Sequence, residues 1–300
     1  MSSTHKAATN IFWNDKLKKF QCGNKCLSGL CPTLHTLFYP DFDFQSAFNR
    51  YNGKTSVQVD VSTTKKTIKR FIPVWIYKKR LAATTVVAPS DTPMSSSSSS
   101  SSTPTRVQAG VILDTEVTEL VGLVKNKISL KQIIGACSAT TAFSTESFWV
   151  RSRVARWSAP TKALAVLLDA KGYLPERSQL VVGSLQCGVA TKIDLLCLDL
   201  IHHVYVVIEC KVGYDYGDCG SDVKMSAPFE AFDARVSNQI QLQLLGSMIL
   251  LEKHFGLKPD NVHGIVLRWK SSTDSFEETP IDPALRKLSA SLWQALVARQ

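Results

Sequence analysis

The sequence has no apolar run long enough to cross a membrane. A spanning helix needs about 20 consecutive, largely apolar residues, and polar or charged residues interrupt every apolar stretch of this 300-residue chain well before that length. The opening segment, Met1-Ser-Ser-Thr-His-Lys-Ala, also lacks the apolar core of a secretory signal. We therefore expect a soluble intracellular protein with no membrane partner, in the nucleus, the mitochondrion or another compartment.

The chain has eight cysteines but no CxxC pair, the spacing typical of a zinc knuckle. One looser group, formed by Cys22, Cys26, Cys31 and His35, leaves a zinc site open without favouring it. The other cysteines are scattered through apolar contexts, as is usual for reduced core cysteines of an intracellular protein.

Acidic residues are scarce in residues 1–90, which hold four of them against 14 Lys or Arg, whereas residues 91–300 hold 21 of each kind. The net charge of +10 therefore lies in the N-terminal third. Interleaved basic and aromatic residues suit phosphate attraction and stacking on unpaired bases, although a nuclear-import signal or a basic solvated tail has the same composition. The predicted nucleic-acid-binding residues are Lys65, Lys66, Lys69, Arg70, Lys78, Lys79 and Arg80.

An unbroken serine run at residues 95–102 predicts a domain boundary. Such a tract cannot bury apolar surface and behaves as a flexible tether. We expect residues 1–87 to form a basic N-terminal region, partly disordered or a small accessory unit. Residues 88–104 then form the linker and residues 105–300 the main domain.

Charged residues interrupt two strand-like apolar runs, Lys192–Asp199 and Val204–Lys211. Buried strands carry charge only where a partner ion or a reaction compensates it. Side chains alternate along a strand, so Glu209 and Lys211 share one face. If the two runs pair as antiparallel neighbours, Asp194 lies alongside Glu209. Two converging carboxylates favour a hard cation such as Mg²⁺. The lysine ammonium beside them can orient or help deprotonate a metal-bound water.

At Asp194, Glu209 and Lys211 the chain resembles the PD-(D/E)xK nuclease superfamily, whose motif is an Asp on one strand and Glu-x-Lys on the next. Ile193 stands where the family name has Pro. The resemblance covers roughly residues 105–270 and is to the RecB-like and phage lambda-type exonucleases. It implies a restriction-endonuclease-like core, Mg²⁺ or Mn²⁺ held by the two acids, and DNA as substrate.

The family also has a glutamine-bearing helix, and residues 238–255 have a matching helical pattern. The Q-x-x-x-Y pattern aligns with Gln241 and Leu245, so the family's Tyr is missing. Gln239 and Gln243 share another helical face and leave the register open. The resemblance implies that Gln241 positions water or the scissile phosphate, whereas an ordinary polar face is the alternative.

The helical pattern of residues 105–121 resembles the opening helix of these nucleases, where Gly110 leads to an acid at Asp114. The resemblance implies a direct or water-mediated metal contact for Asp114. Glu116 and Glu119 fit an ordinary polar helix face. Glu146, before another helical pattern, is a competing candidate.

Interleaved strands and helices predict an α/β fold with a mixed central sheet flanked by helices and a basic N-terminal extension. We expect a metal-dependent DNA nuclease that acts as an exonuclease in recombination, repair or replication. The alternatives are a nucleic-acid-binding protein on the same fold that cleaves nothing, and a buried ion network without chemistry. The predicted strands are 178–183, 190–198, 204–212 and 263–269, with helices at 160–172 and 282–298.

Overall fold

The structure is a computed structural model that describes residues 10–39, 57–63, 66–72, 106–138, 145–212 and 220–299. The chain divides into two compact units, residues 1–40 with 104–300 and residues 41–103. In the second unit, strands β4 (Val57–Thr63) and β5 (Lys66–Ile72) pair antiparallel.

A mixed central sheet organises the first unit, which confirms the predicted α/β class. The strand order is β1-β2-β3-β7-β8-β11-β12, with β6 also paired to β7. The β3–β7 and β8–β11 pairs are parallel and the others antiparallel. The strands are β1 (Phe12–Asn14), β2 (Lys19–Cys22), β3 (Lys25–Gly29), β6 (Tyr173–Ser184), β7 (Val189–Asp199), β8 (Val204–Lys211), β11 (Val262–Lys270) and β12 (Ser275–Pro280). A small separate pair is formed by β9 (Gly220–Lys224) and β10 (Asp233–Arg235).

Helices cover both faces of the sheet. One face carries Leu195, Ile208 and Leu267, which pack in a buried cluster with the helices between residues 106 and 171. On the other face Gly264 leaves room for Leu244 and Met248 of the long helix after β10. The helices are α1 (Leu30–Phe38), α2 (Arg106–Lys125), α3 (Leu130–Ser138), α4 (Thr145–Val154), α5 (Ala159–Lys171), α6 (Val236–Phe255), α7 (Pro283–Lys287) and α8 (Ser289–Ala298).

Strand β7 has two different neighbours along one of its edges. Because β6 pairs along the whole of the other edge, β3 and β8 must share the remaining one. β3 pairs with Val189 and Ala190, and β8 pairs with residues 195–199. Residues 191–194 therefore lie in a fork between β3 and β8. This fork opens the sheet beside Asp194.

The N-terminal strands differ from the predicted domain boundary at residues 88–104. Residues 10–39 belong to the same compact unit as residues 106–299, because β3 joins β7 and a small core holds the hairpin in place. That core contains Ile11, Phe20, Leu27 and Ala190. The linker itself lies outside the described residues.

The other predicted elements agree with the structure apart from their ends. β6 begins earlier than predicted, at Tyr173, and β12 was not predicted. Helix α5 ends as expected at Gly172, which adopts the left-handed conformation with φ 68°. The predicted last helix is two helices, separated at Leu288. None of the described helices combines the length and apolar character that crossing a bilayer requires.

Candidate active site

The Asp194 and Glu209 carboxyl groups lie on neighbouring antiparallel strands, as predicted. β7 and β8 pair Leu195 with Ile208, so the next position in this register places Asp194 opposite Glu209. Asp194 Oδ2 accepts a hydrogen bond from the Cys210 backbone N–H at 3.0 Å. This bond fixes the Asp194 carboxyl against the strand that carries Glu209.

Glu209 is buried, with only 2% of its surface exposed. Its Oε1 accepts from Lys211 Nζ at 2.5 Å and from Gln243 Nε2 at 2.7 Å. Burial of a carboxylate is costly unless it is paired and hydrogen-bonded, and these two donors supply that compensation. The Lys211 side chain keeps 17% of its surface exposed.

The Asp194 carboxyl lacks comparable compensation. Burial, and next the negative charge of Glu209, raise the pKa of Asp194 to about 8, although Lys211 and the Cys210 N–H oppose the rise. Asp194 therefore holds a proton at neutral pH unless another cation arrives. A divalent cation beside Asp194 and Glu209 would remove this cost.

Asp114 is the acid of α2 that faces the same site. Burial and then the charge of Glu209 raise its pKa, whereas Lys211 and Lys192 lower it. This electrostatic coupling places Asp114 near the pair formed by Asp194 and Glu209. Its predicted role as a further metal contact remains a prediction.

Glu116 and Glu119 have structural partners instead. Glu116 accepts hydrogen bonds from the Ser158 N–H at 3.0 Å and from Thr161 Oγ1 at 2.5 Å, at the start of α5. Glu119 accepts one from Trp157 Nε1 at 3.0 Å. Both acids therefore connect helices, which agrees with the predicted preference for Asp114. The side chain of Glu146 lies outside the described residues.

Gln241, the predicted glutamine, has partners away from Glu209. Gln241 Nε2 donates to the Pro280 carbonyl and its Oε1 accepts from the Asp282 N–H, both at 3.2 Å. Gln243 contacts Glu209 in its place. Residues two apart on a helix point in nearly opposite directions, so Gln241 and Gln243 lie on different faces of α6, and the catalytic role of Gln241 remains a prediction.

Three residues near the site were not predicted to belong to it. Cys31 lies at the start of α1, and partial burial and next the charge of Glu209 raise the pKa of its thiol. Lys192 lies on β7, two residues before Asp194. Arg268 pairs in register with Lys211 on the parallel strand β11. Strand alternation was a usable signal for Lys192 and Arg268, but no sequence pattern indicated Cys31.

The donor atoms fit a hard divalent cation, although the side chains are not arranged as a ready-made cluster. Within the described ranges, no three His, Cys, Asp or Glu side chains are placed together to hold a metal ion. That statement includes Cys22, Cys26, Cys31 and His35. The second oxygens of Asp194 and Glu209 accept no hydrogen bond from any described residue. Carboxylate oxygens are the ligands that Mg²⁺ and Mn²⁺ prefer.

The side chains of the predicted basic cluster are not among those that the structure describes. Lys66, Lys69 and Arg70 fall on β5, whose side chains lie outside the described residues. Lys65, Lys78, Lys79 and Arg80 lie outside them altogether. Their role in nucleic-acid binding stays a prediction.

Comparison with protein-family models and with curated proteins gives no match to this chain.

Proposed function

We propose that this chain is a metal-dependent DNA nuclease with a restriction-endonuclease-like core, and that it acts as an exonuclease in DNA recombination, repair or replication. The observation that carries the proposal is the buried Glu209, held between Lys211 and Gln243 and opposite Asp194. Buried, closely spaced acids whose pKa values are perturbed are characteristic of functional sites.

Each residue has a definite task in this proposal. Asp194 and Glu209 hold Mg²⁺ or Mn²⁺, with Asp114 as a further direct or water-mediated contact. The bound cation would draw in a phosphate oxygen and acidify a water. Lys211 orients that water and offsets the negative charge that develops on the phosphate. Gln243 keeps the Glu209 carboxylate in one orientation.

A digestion assay tests the proposal with end-labelled linear DNA and closed circular DNA, in Mg²⁺, in Mn²⁺ and in EDTA. Glu209→Gln, purified in parallel, controls for contaminating nucleases. We expect metal-dependent loss of linear DNA alone. Cleavage of circles as well would replace the exonuclease assignment by an endonuclease, and no cleavage with any divalent metal would overturn the proposal.

A nucleic-acid-binding protein without nuclease activity is the second candidate. The contacts around Glu209 favour it, because Lys211 and Gln243 already satisfy one carboxylate oxygen. A self-sufficient buried pair of this kind can be structural. The Lys211 variant described in the Discussion distinguishes the two candidates.

A further inference from the structure

We propose that a groove beside the candidate active site binds one strand of the nucleic acid next to the scissile phosphate. This N-terminal groove has a volume of about 690 Å³, and the residues that define it here are Trp13, Lys19, Cys26, Cys31, Lys192 and Gln243. This inference rests on the proposed nuclease function, because the strand in the groove is part of the same substrate.

The N-terminal groove lies beside the candidate active site. Gln243 lines it and also donates to Glu209 Oε1 at 2.7 Å. Lys192, another lining residue, lies in the fork of β7, two residues before Asp194. A strand in the groove would therefore lie next to the residues that surround Asp194 and Glu209.

The charge of the N-terminal groove matches a phosphodiester backbone. Four of its lining residues are Lys or Arg and none is Asp or Glu. Lys18 lies 3.4 Å from Asp15, whereas Lys19 and Lys192 have no carboxylate within ion-pair distance in the described part of the chain. Unpaired cations at a concave surface attract phosphate groups.

The Lys192 ammonium is held in a defined position. Its Nζ lies 4.7 Å from the centre of the Trp13 ring, a cation–π contact. Trp13 in turn packs edge-on against Phe20, with ring centres 4.9 Å apart. This packing fixes a cation in the groove without neutralising its charge.

The volume of the N-terminal groove favours a single strand. Pockets of about 300–1,000 Å³ hold small molecules, so a cavity of about 690 Å³ accepts part of one strand and is too small for a duplex. A strand that enters alone also suits digestion from an end.

Anisotropy of a fluorescein-labelled single-stranded oligonucleotide in EDTA tests the inference without cleavage. We expect the double variant Lys19→Gln/Lys192→Gln to bind ~10-fold more weakly at low salt. The slope of log affinity against log salt should fall by about 1.4, or ~0.7 for each lost phosphate contact. Lys258→Gln, at an exposed lysine outside the groove, should match the parent. A double variant that also matches the parent overturns the groove.

The outcomes separate the groove from the proposed function. If the parent binds and cuts DNA but the double variant binds equally well, the groove fails alone. If the double variant binds more weakly but the parent fails to cleave DNA with every divalent metal tested, the nuclease proposal fails and the groove remains a binding site. A parent that binds no oligonucleotide refutes the groove, and the digestion assay then decides the proposed function by itself.

A readout on the parent protein covers the case of a misfolded variant. Cys26 and Cys31 line the N-terminal groove and are exposed. A single-stranded oligonucleotide should slow their alkylation by iodoacetamide, followed by mass spectrometry of the modified peptides. An unchanged alkylation rate at saturating oligonucleotide contradicts the proposal.

Discussion

Strand β7 carries two aspartates, Asp194 at its middle and Asp199 at its end, and only one of them has its charge satisfied. Asp199 accepts hydrogen bonds from the backbone N–H groups of Ile201 at 2.8 Å and His202 at 3.0 Å, and its Oδ2 lies 2.8 Å from the His202 ring Nδ1. Burial alone would raise the pKa of Asp199, but these hydrogen bonds outweigh it and lower the pKa. Asp199 therefore stabilises the turn between β7 and β8.

Asp194 has the opposite balance. It accepts a hydrogen bond from the Cys210 N–H, and its pKa rises to about 8 because burial and Glu209 dominate. The comparison shows that a charged residue in a buried strand does not by itself identify a functional site. The distinguishing feature is a charge that the fold leaves uncompensated.

The largest expected effect is on cleavage by Asp194→Asn or Glu209→Gln. Each variant should lose at least ~10³-fold in single-turnover rate, about 4 kcal/mol of transition-state stabilisation, because each removes a metal-binding charge. Asp199→Asn, at the end of the same strand, is the matched control. It should cut at the parent rate but lose about 1–3 kcal/mol in the free energy of unfolding, because its hydrogen bonds weaken. Equal rates for all three variants would contradict the proposed difference between Asp194 and Asp199.

A smaller loss is expected from Lys211→Ala. The rate should fall by ~10² while DNA affinity changes little, because the ammonium acts mainly on charge that develops in the transition state. If Lys211 only balances Glu209, the variant should instead lose several kcal/mol of stability. Melting temperature and single-turnover rate, measured on the same preparation, decide between these roles. A large fall in melting temperature together with an inactive parent would exclude the nuclease.

Gln243→Ala should lower the rate by ~10-fold, since it frees the Glu209 carboxylate to rotate without removing a charge. Gln241→Ala, two residues earlier on α6, is the control. It loses contacts to Pro280 and Asp282 only, so its rate should equal that of the parent in the same assay. A larger defect in Gln241→Ala would restore the register predicted from the sequence.

The last effect concerns the pH dependence of stability in the metal-free protein. The pKa of Asp194 is about 8 when folded, against an ordinary value of 3.8. The folded state therefore retains a proton that the unfolded state has released, and stability falls as pH rises between these values. Melting temperatures in EDTA from about pH 5 to about pH 9 should decline more for the parent than for Asp194→Asn, which cannot titrate there. Parallel curves would contradict the assigned pKa.

The sequence predicted the strands of the site because their apolar runs are long. β7 and β8 hold 11 and 8 residues, and charges within them are easily seen. β1–β3 hold only three to five residues each, too few for a clear alternation. Their attachment depends on the distant pairing of β3 with β7, which no local pattern contains. The serine tract therefore suggested a boundary that residues 10–39 do not follow.

The sequence could not predict whether Gln241 or Gln243 contacts Glu209, for a related reason. Helix α6 is buried on most sides, including Leu242, Leu244 and Leu245. An amphipathic pattern shows which face points to the sheet, and a helix that is apolar all round has none. The neighbouring strand β8 decides which glutamine reaches Glu209.

Calorimetric titration of Mg²⁺ at about pH 8, near the pKa of Asp194, tests the central claim most directly. The parent and Asp199→Asn should bind Mg²⁺ with similar affinity and release about half a proton on binding, because Asp194 is about half protonated at this pH and must ionise. Asp194→Asn should show no binding. Equal binding by all three proteins, or no Mg²⁺ or Mn²⁺ binding by the parent, would contradict the account.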